Sequence, residues 1–114
     1  MNGFTVDGST GRLSSVTLRG GTLGITQDFL YYTGSNGNNG GAENRASGAY
    51  IFKPTKIEAV PIVTNISDFK SARGNLCDEF IQVLNNEVSQ IIRVYKGDDD
   101  AYIEFDWLVG NLQL

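Results

Sequence analysis

The sequence predicts an all-β chain folded as an antiparallel β-sandwich, and three observations carry that prediction. Eight short segments of β-type composition are separated by turn clusters at fairly regular spacing, no segment sustains a helical period for three turns, and 14 glycines accompany only 2 prolines. At 114 residues the chain has room for one core, so residues 1–114 read as a single β-sandwich domain or a fragment of one. No internal repeat is visible.

The first pair of strands is Phe4-Thr5-Val6 and Leu13 to Leu18, joined through the turn cluster Asp7-Gly8-Ser9-Thr10-Gly11 as a hairpin. After the turn Arg19-Gly20-Gly21, a third strand is expected from Leu23 to Tyr32, carrying Ile25, Phe29, Leu30 and a tyrosine pair. From Thr33 to Asn44 the chain is rich in glycine and asparagine and has no large apolar side chain, which predicts an exposed connection. Loops of about a dozen structureless residues are uncommon in compact domains and are usually functional or disordered. A fourth strand is expected over Gly48 to Phe52, stopped by Pro54, and a short fifth over Val60 to Thr64. Asn65 to Asn75 is polar and reads as a loop. Strands follow at Leu76 to Val83 and Val88 to Tyr95, with Asn85-Asn86-Glu87 connecting them. Lys96 to Asp100 is a turn. In the last strand Ile103, Phe105, Trp107 and Val109 share one parity and Tyr102, Glu104 and Asp106 the other, which predicts a half-buried strand.

Charge and composition set aside several functions. A net charge of −4 without a basic run argues against nucleic acid and against an anionic membrane surface. The absence of histidine removes the usual general base and zinc ligand, so no metal site is expected in this chain. A single cysteine, Cys77, provides no internal disulfide and, without a histidine to activate it, reads as a small buried residue. There is no apolar run of membrane-spanning length and no N-terminal signal pattern. The chain starts and stops within strand-like sequence, which predicts a piece cut from something longer.

Few residues invite a chemical role. Asp98, Asp99 and Asp100 lack the spacing of a calcium loop and read as a solvated turn. Glu104 and Asp106 lie ~7 Å apart along one strand face, a separation usable by a glycosidase carboxylate pair, yet alternate acids on a wet sandwich face are routine. The glycine-rich stretch Gly34 to Gly41 lacks the lysine and helix of a phosphate loop. Asn65-Ile66-Ser67 is an acceptor sequon for N-glycosylation, meaningful only in a chain that enters the secretory route. Tyr31, Tyr32, Tyr50 and Phe52 flank the polar loop; such rings can stack on a sugar while a phenol bonds its hydroxyls, although aromatics in strands are more often core.

One set of residues carries a resemblance. Tyr31-Tyr32, the polar loop and Ser47-Gly48-Ala49-Tyr50-Ile51-Phe52-Lys53-Pro54, followed by Asp78-Glu79-Phe80, Val88-Ser89-Gln90-Ile91-Ile92-Arg93-Val94-Tyr95 and Ile103-Glu104-Phe105-Asp106-Trp107-Leu108-Val109-Gly110, resemble in order the C-terminal β-domain of glycoside hydrolase family 38. The likeness is closest to the lysosomal α-mannosidases. The resemblance implies part of a larger galactose-mutarotase-like supersandwich in a retaining, zinc-dependent exo-α-mannosidase that trims N-glycans in the lysosomal or secretory pathway. It places the zinc and both catalytic carboxylates in a separate α/β domain, and leaves Tyr50 as the residue of this region that contacts mannose. The partners it implies are that catalytic domain, the remaining β-domain and mannose-containing glycans. Two departures stand out: Cys77 in place of an aliphatic residue, and Asn111-Leu112 in place of a proline-rich exit. The rival reading is a stand-alone module that binds a carbohydrate or a protein without catalysis.

Overall fold

The computed structural model describes residues 2–41, 44–48, 50–97, 99 and 102–110. The chain divides into two compact units, one formed by Met1–Gln27 with Val63–Leu114 and the other by Asp28–Ile62. Among the described residues there are nine strands, every pairing is antiparallel, and no α-helix occurs.

The first unit is the sandwich. One sheet has the order β1 (Gly3–Asp7), β2 (Arg12–Leu18), β3 (Gly21–Gly24). The β1–β2 turn is built as its residues dictate: Asp7 Oδ1 accepts from the Ser9 amide and hydroxyl, and Gly11 takes a left-handed φ of 71° that a side chain would resist. A register shift places Thr5 opposite Ser15 and Val6 opposite Leu13, so Ser14 bulges. That bulge is why Leu13 and Val16, of opposite parity, both reach the core.

The facing sheet has the order β6 (Asp68–Arg73), β7 (Cys77–Val83), β8 (Val88–Tyr95), β9 (Ile103–Val109). Phe80 stands opposite Ile92, and Val94 opposite Ile103, so these side chains share the inner face. They close on Phe4, Leu13 and Val16 of the other sheet in one buried cluster, with the Phe80 ring 5.7 Å from Phe4 and 6.0 Å from Phe69. Two glutamines are also fully inside. Gln82 donates to the Gly11 carbonyl at 2.9 Å and exchanges hydrogen bonds with Gln27, while Gln90 donates to Gln82 at 3.2 Å. A linked amide chain of this kind satisfies its own polar atoms and ties β2's approach to the facing sheet.

The second unit is a narrow antiparallel arm. β4 (Leu30–Tyr31) pairs with β5 (Val60–Pro61), and beyond them the ladder continues as single bridges, Gly34 with Pro54 and Asn36 with Ala46.

Four expectations are corrected, one being the half-buried last strand, where Ile103 packs on the core but Phe105, Trp107 and Val109 are exposed. The stretch Leu23 to Tyr32 is not one strand: β3 ends at Gly24, and the Gln27 side chain takes the Leu13 amide, which diverts the chain before β4 begins. The described residues of Gly48 to Phe52 are not a strand: the Ser47 hydroxyl bonds the Lys53 backbone and the Gly48 amide donates to the Ile51 carbonyl, so the segment closes on itself between two residues that both bond Ser35. The polar segment Asn65 to Asn75 contains β6, an edge strand whose only inward apolar side chain is Phe69, which conceals the usual alternation. Asp98, Asp100, Ala49 and Asn111-Leu112 lie outside the described residues, and Asp99 is exposed.

Candidate functional site

The polar stretch that composition marks as a loop is held by backbone bonds along most of its length. The Thr55 amide donates to Thr33, Ser35 to Lys53, and Ser47 to Ser35, at 2.9, 2.7 and 2.8 Å. At the far end Asn39 adopts φ 59°, a conformation asparagine tolerates, donates its amide to the Asn44 carbonyl and accepts the Ala46 amide on its side chain.

Ser47 is the hinge pin of this arm. Its hydroxyl donates to the Lys53 carbonyl at 2.6 Å and accepts the Lys53 amide at 2.9 Å, closing the chain between residues 47 and 53 into a small loop. Within that loop the Gly48 amide donates to the Ile51 carbonyl at 2.8 Å. Gly34 packs so closely on Ser47 that an added Cβ would lie 3.3 Å from the hydroxyl oxygen, so a small residue there lets the serine reach across. Sequence reasoning named Ser47 only as part of a block, and nothing in the sequence marks its hydroxyl as the one that closes the loop.

The closed loop carries Tyr50 at full exposure, 101% of the reference value. Tyr31, Tyr32 and Phe52 are exposed as well, and the Tyr32 and Phe52 rings meet edge to face at 5.9 Å. The four aromatics flanking the polar loop are therefore surface groups of one unit rather than core. Chemically, these side chains present ring faces and phenol donors.

The acid pair of the last strand has a different occupation. Glu79, Arg93 and Glu104 stand directly opposite one another across β7, β8 and β9 on the outer face. The Arg93 guanidinium lies 3.1 Å from Glu79, 2.9 Å from Glu104 and 3.4 Å from Asp106. Hydrogen bonds donated to Glu104 first and Glu79 second hold the guanidinium's pKa above its ordinary value. Glu104 and Asp106 share one cation and form an ion-pair row, not a spaced acid and nucleophile. Asp78, 5% exposed, lies 3.1 Å from both Arg73 and Lys96 and serves to bind β7 to its neighbours. Among the described residues no three His, Cys, Asp or Glu side chains gather as metal ligands, and Cys77 is half-buried. Asn65 is exposed in the bend before β6.

Residues 3–113 match the family described as the glycosyl hydrolases family 38 C-terminal domain. The chain belongs to that family. It is 44% identical over 80 residues to an α-mannosidase of Arabidopsis thaliana, covering 69% of this chain and 8% of that protein. It is 40% identical over 83 residues to an α-mannosidase of Canavalia ensiformis, 73% of this chain and 8% of the relative. With the lysosomal α-mannosidase of Mus musculus it shares 34% over 110 residues, 95% of this chain and 10% of the relative. The family 38 chain thus spans about a tenth of the length of the curated relatives it matches. The resemblance built on the Ser47 to Pro54 block and the strands after it is a true family relation, and the antiparallel sandwich is the fold it carries.

Proposed function

We propose that this chain is a β-sandwich segment of a retaining, zinc-dependent exo-α-mannosidase that trims mannose from N-glycans in the lysosomal or secretory pathway. The segment buttresses the enzyme's catalytic α/β domain and lends Tyr50 to the mannose site; alone it is inactive. Zinc and the reacting carboxylates belong to that other domain in this reading, as the family resemblance implies. The observation that carries the site is the exposure of Tyr50 on a loop closed by the Ser47 hydroxyl. A phenol held on a short closed loop loses little freedom when it meets a sugar, which is the condition for a useful hydrogen bond and ring contact.

A second face supports the remaining β-domain as a partner. Phe105, Trp107 and Val109 point the same way as the buried Phe80 and Ile92 yet are 43, 71 and 54% exposed. An apolar row continuing a core beyond its cover suits further polypeptide of the same enzyme, as in the curated relatives, of whose length this chain spans about a tenth.

The test is Tyr50→Phe in the full-length enzyme, which removes only the hydroxyl. One neutral hydrogen bond contributes ~0.5–1.5 kcal/mol, so kcat/KM for mannosides falls by about two- to tenfold while the thermal midpoint stays unchanged. Unaltered kinetics would remove Tyr50 from the site. Useful mannoside affinity in the isolated 114-residue chain would instead favour a stand-alone binding module.

A further inference from the structure

We infer that Asn65 is an N-glycosylation site of the folded enzyme, an inference that rests on the secretory location proposed above. The sequon Asn65-Ile66-Ser67 runs outward, inward, outward: Asn65 and Ser67 are exposed and Ile66 is 3% exposed. That alternation leaves both the acceptor amide and the hydroxyl two residues on at the surface. The inward residue fixes the arrangement. Ile66 packs on Gly11, where any side chain would run into the Ile66 carbonyl, and its amide donates to the Thr10 carbonyl at 2.8 Å. Just upstream, the Arg12 guanidinium donates to the carbonyls of Thr64 at 2.7 Å and Val63 at 3.3 Å. The backbone is held on both sides of Asn65 while its own side chain makes no hydrogen bond among the described residues, so a bulky substituent there displaces nothing.

Its place in the fold gives the substituent a use. β6 begins three residues later and, among the described residues, pairs with β7 alone, so it forms an edge of the four-stranded sheet. Asp68, Lys70 and Arg73 already put charge on that strand, and an oligosaccharide at Asn65 screens the same edge from strand addition. The step is a group transfer. The Asn65 side-chain nitrogen attacks the anomeric carbon of an oligosaccharide carried on a lipid pyrophosphate. The new carbon–nitrogen bond forms as the carbon–oxygen bond to the pyrophosphate breaks, the lipid pyrophosphate departs with the electron pair, and the amide proton passes to a base of the transferase.

The experiment expresses the full-length enzyme through the secretory route of a eukaryotic cell, removes N-glycans with a peptide amidase and reads the peptide containing Asn65 by mass spectrometry. The expected result is an Asn65 converted to aspartate by that treatment, and a loss of one glycan's mass in both Asn65→Gln and Ser67→Ala, with Ser67→Thr restoring it. Using two routes to destroy the sequon guards against a variant that fails to fold. A secreted, mannosidase-active enzyme with Asn65 unmodified overturns the site and leaves the proposed function standing. A parent chain that never enters the secretory route overturns the site together with its location.

Discussion

Replacing Ser47 with alanine is the sharpest probe of how the aromatic arm is held. The substitution removes two hydrogen bonds, 2.6 Å to the Lys53 carbonyl and 2.9 Å from the Lys53 amide. The losses are unequal, since the carbonyl keeps the Ser35 amide at 2.7 Å. At ~0.5–1.5 kcal/mol for each net bond, and with that carbonyl still served, the loop loses about 1–2 kcal/mol of local stability. Opening of the segment becomes about 5–30 times more frequent. Native-state hydrogen exchange reads this directly: the amides of Ser47, Gly48 and Lys53 exchange faster by that factor, while those of β7 and β8 keep their protection. On the proposed reading, in which Tyr50 meets the sugar, kcat/KM for mannosides in the full-length enzyme falls with it. Unchanged exchange at Lys53 would show that the loop is held by something other than the serine hydroxyl, and the argument from Tyr50's presentation would fail with it.

Two further outcomes concern the sandwich. Phe80→Ala empties the centre of the buried cluster, where Phe80 contacts both Phe4 and Phe69, and costs about 3–5 kcal/mol, read as a lower urea midpoint of unfolding. Asp78 is expected to govern acid stability. Burial by itself raises its pKa, but hydrogen bonds from Lys96, Arg73 and the Gly74 amide prevail and leave it below the ordinary 3.8. A carboxyl whose folded pKa is depressed stabilises the fold above its unfolded value and loses that contribution as the pH falls through the folded one. The thermal midpoint therefore drops as the pH is taken below about 3.8, and Asp78→Asn flattens that part of the profile; a variant with an unaltered acid limb would assign the effect elsewhere.

The sandwich was legible where local pattern and long-range pairing agree. The stretch Val88 to Tyr95 forms β8 at those bounds, and the alternating run from Tyr102 to Val109 holds β9, which starts one residue in. β6 was hidden because an edge strand of polar residues needs only one inward anchor, Phe69, and shows no period. Gln82 and Gln90 were invisible for another reason: their burial depends on Gln27 and the Gly11 carbonyl, partners 55 and 71 residues from Gln82. In the site, Tyr50 was named from its block, and the aromatic, polar and small residues around it are all in the sequence. That Ser47 and Lys53 would bond to each other was not legible, since a serine hydroxyl among small residues has no pattern of its own.

The last strand separates what periodicity encodes from what it does not. Ile103, Phe105, Trp107 and Val109 do share the inner face, as their parity predicts. Only Ile103 packs on the core, and the other three are exposed, so the expectation of a half-buried strand fails over most of its length. Alternation fixes which way a side chain points, because a strand repeats every two residues; whether a layer lies opposite depends on the extent of the facing sheet. Here a sheet of three strands faces one of four. The two outer strands of the larger sheet differ accordingly in character: β6 displays Asp68, Lys70 and Arg73, the usual protection of an edge that stays in water, whereas β9 displays Phe105, Trp107, Leu108 and Val109. Free energy favours water at the first edge and removal from water at the second, at roughly 25 cal/mol for each Å² of apolar surface covered. That asymmetry is written in the residues themselves and would hold for any chain with these two edges, whatever lay beyond it.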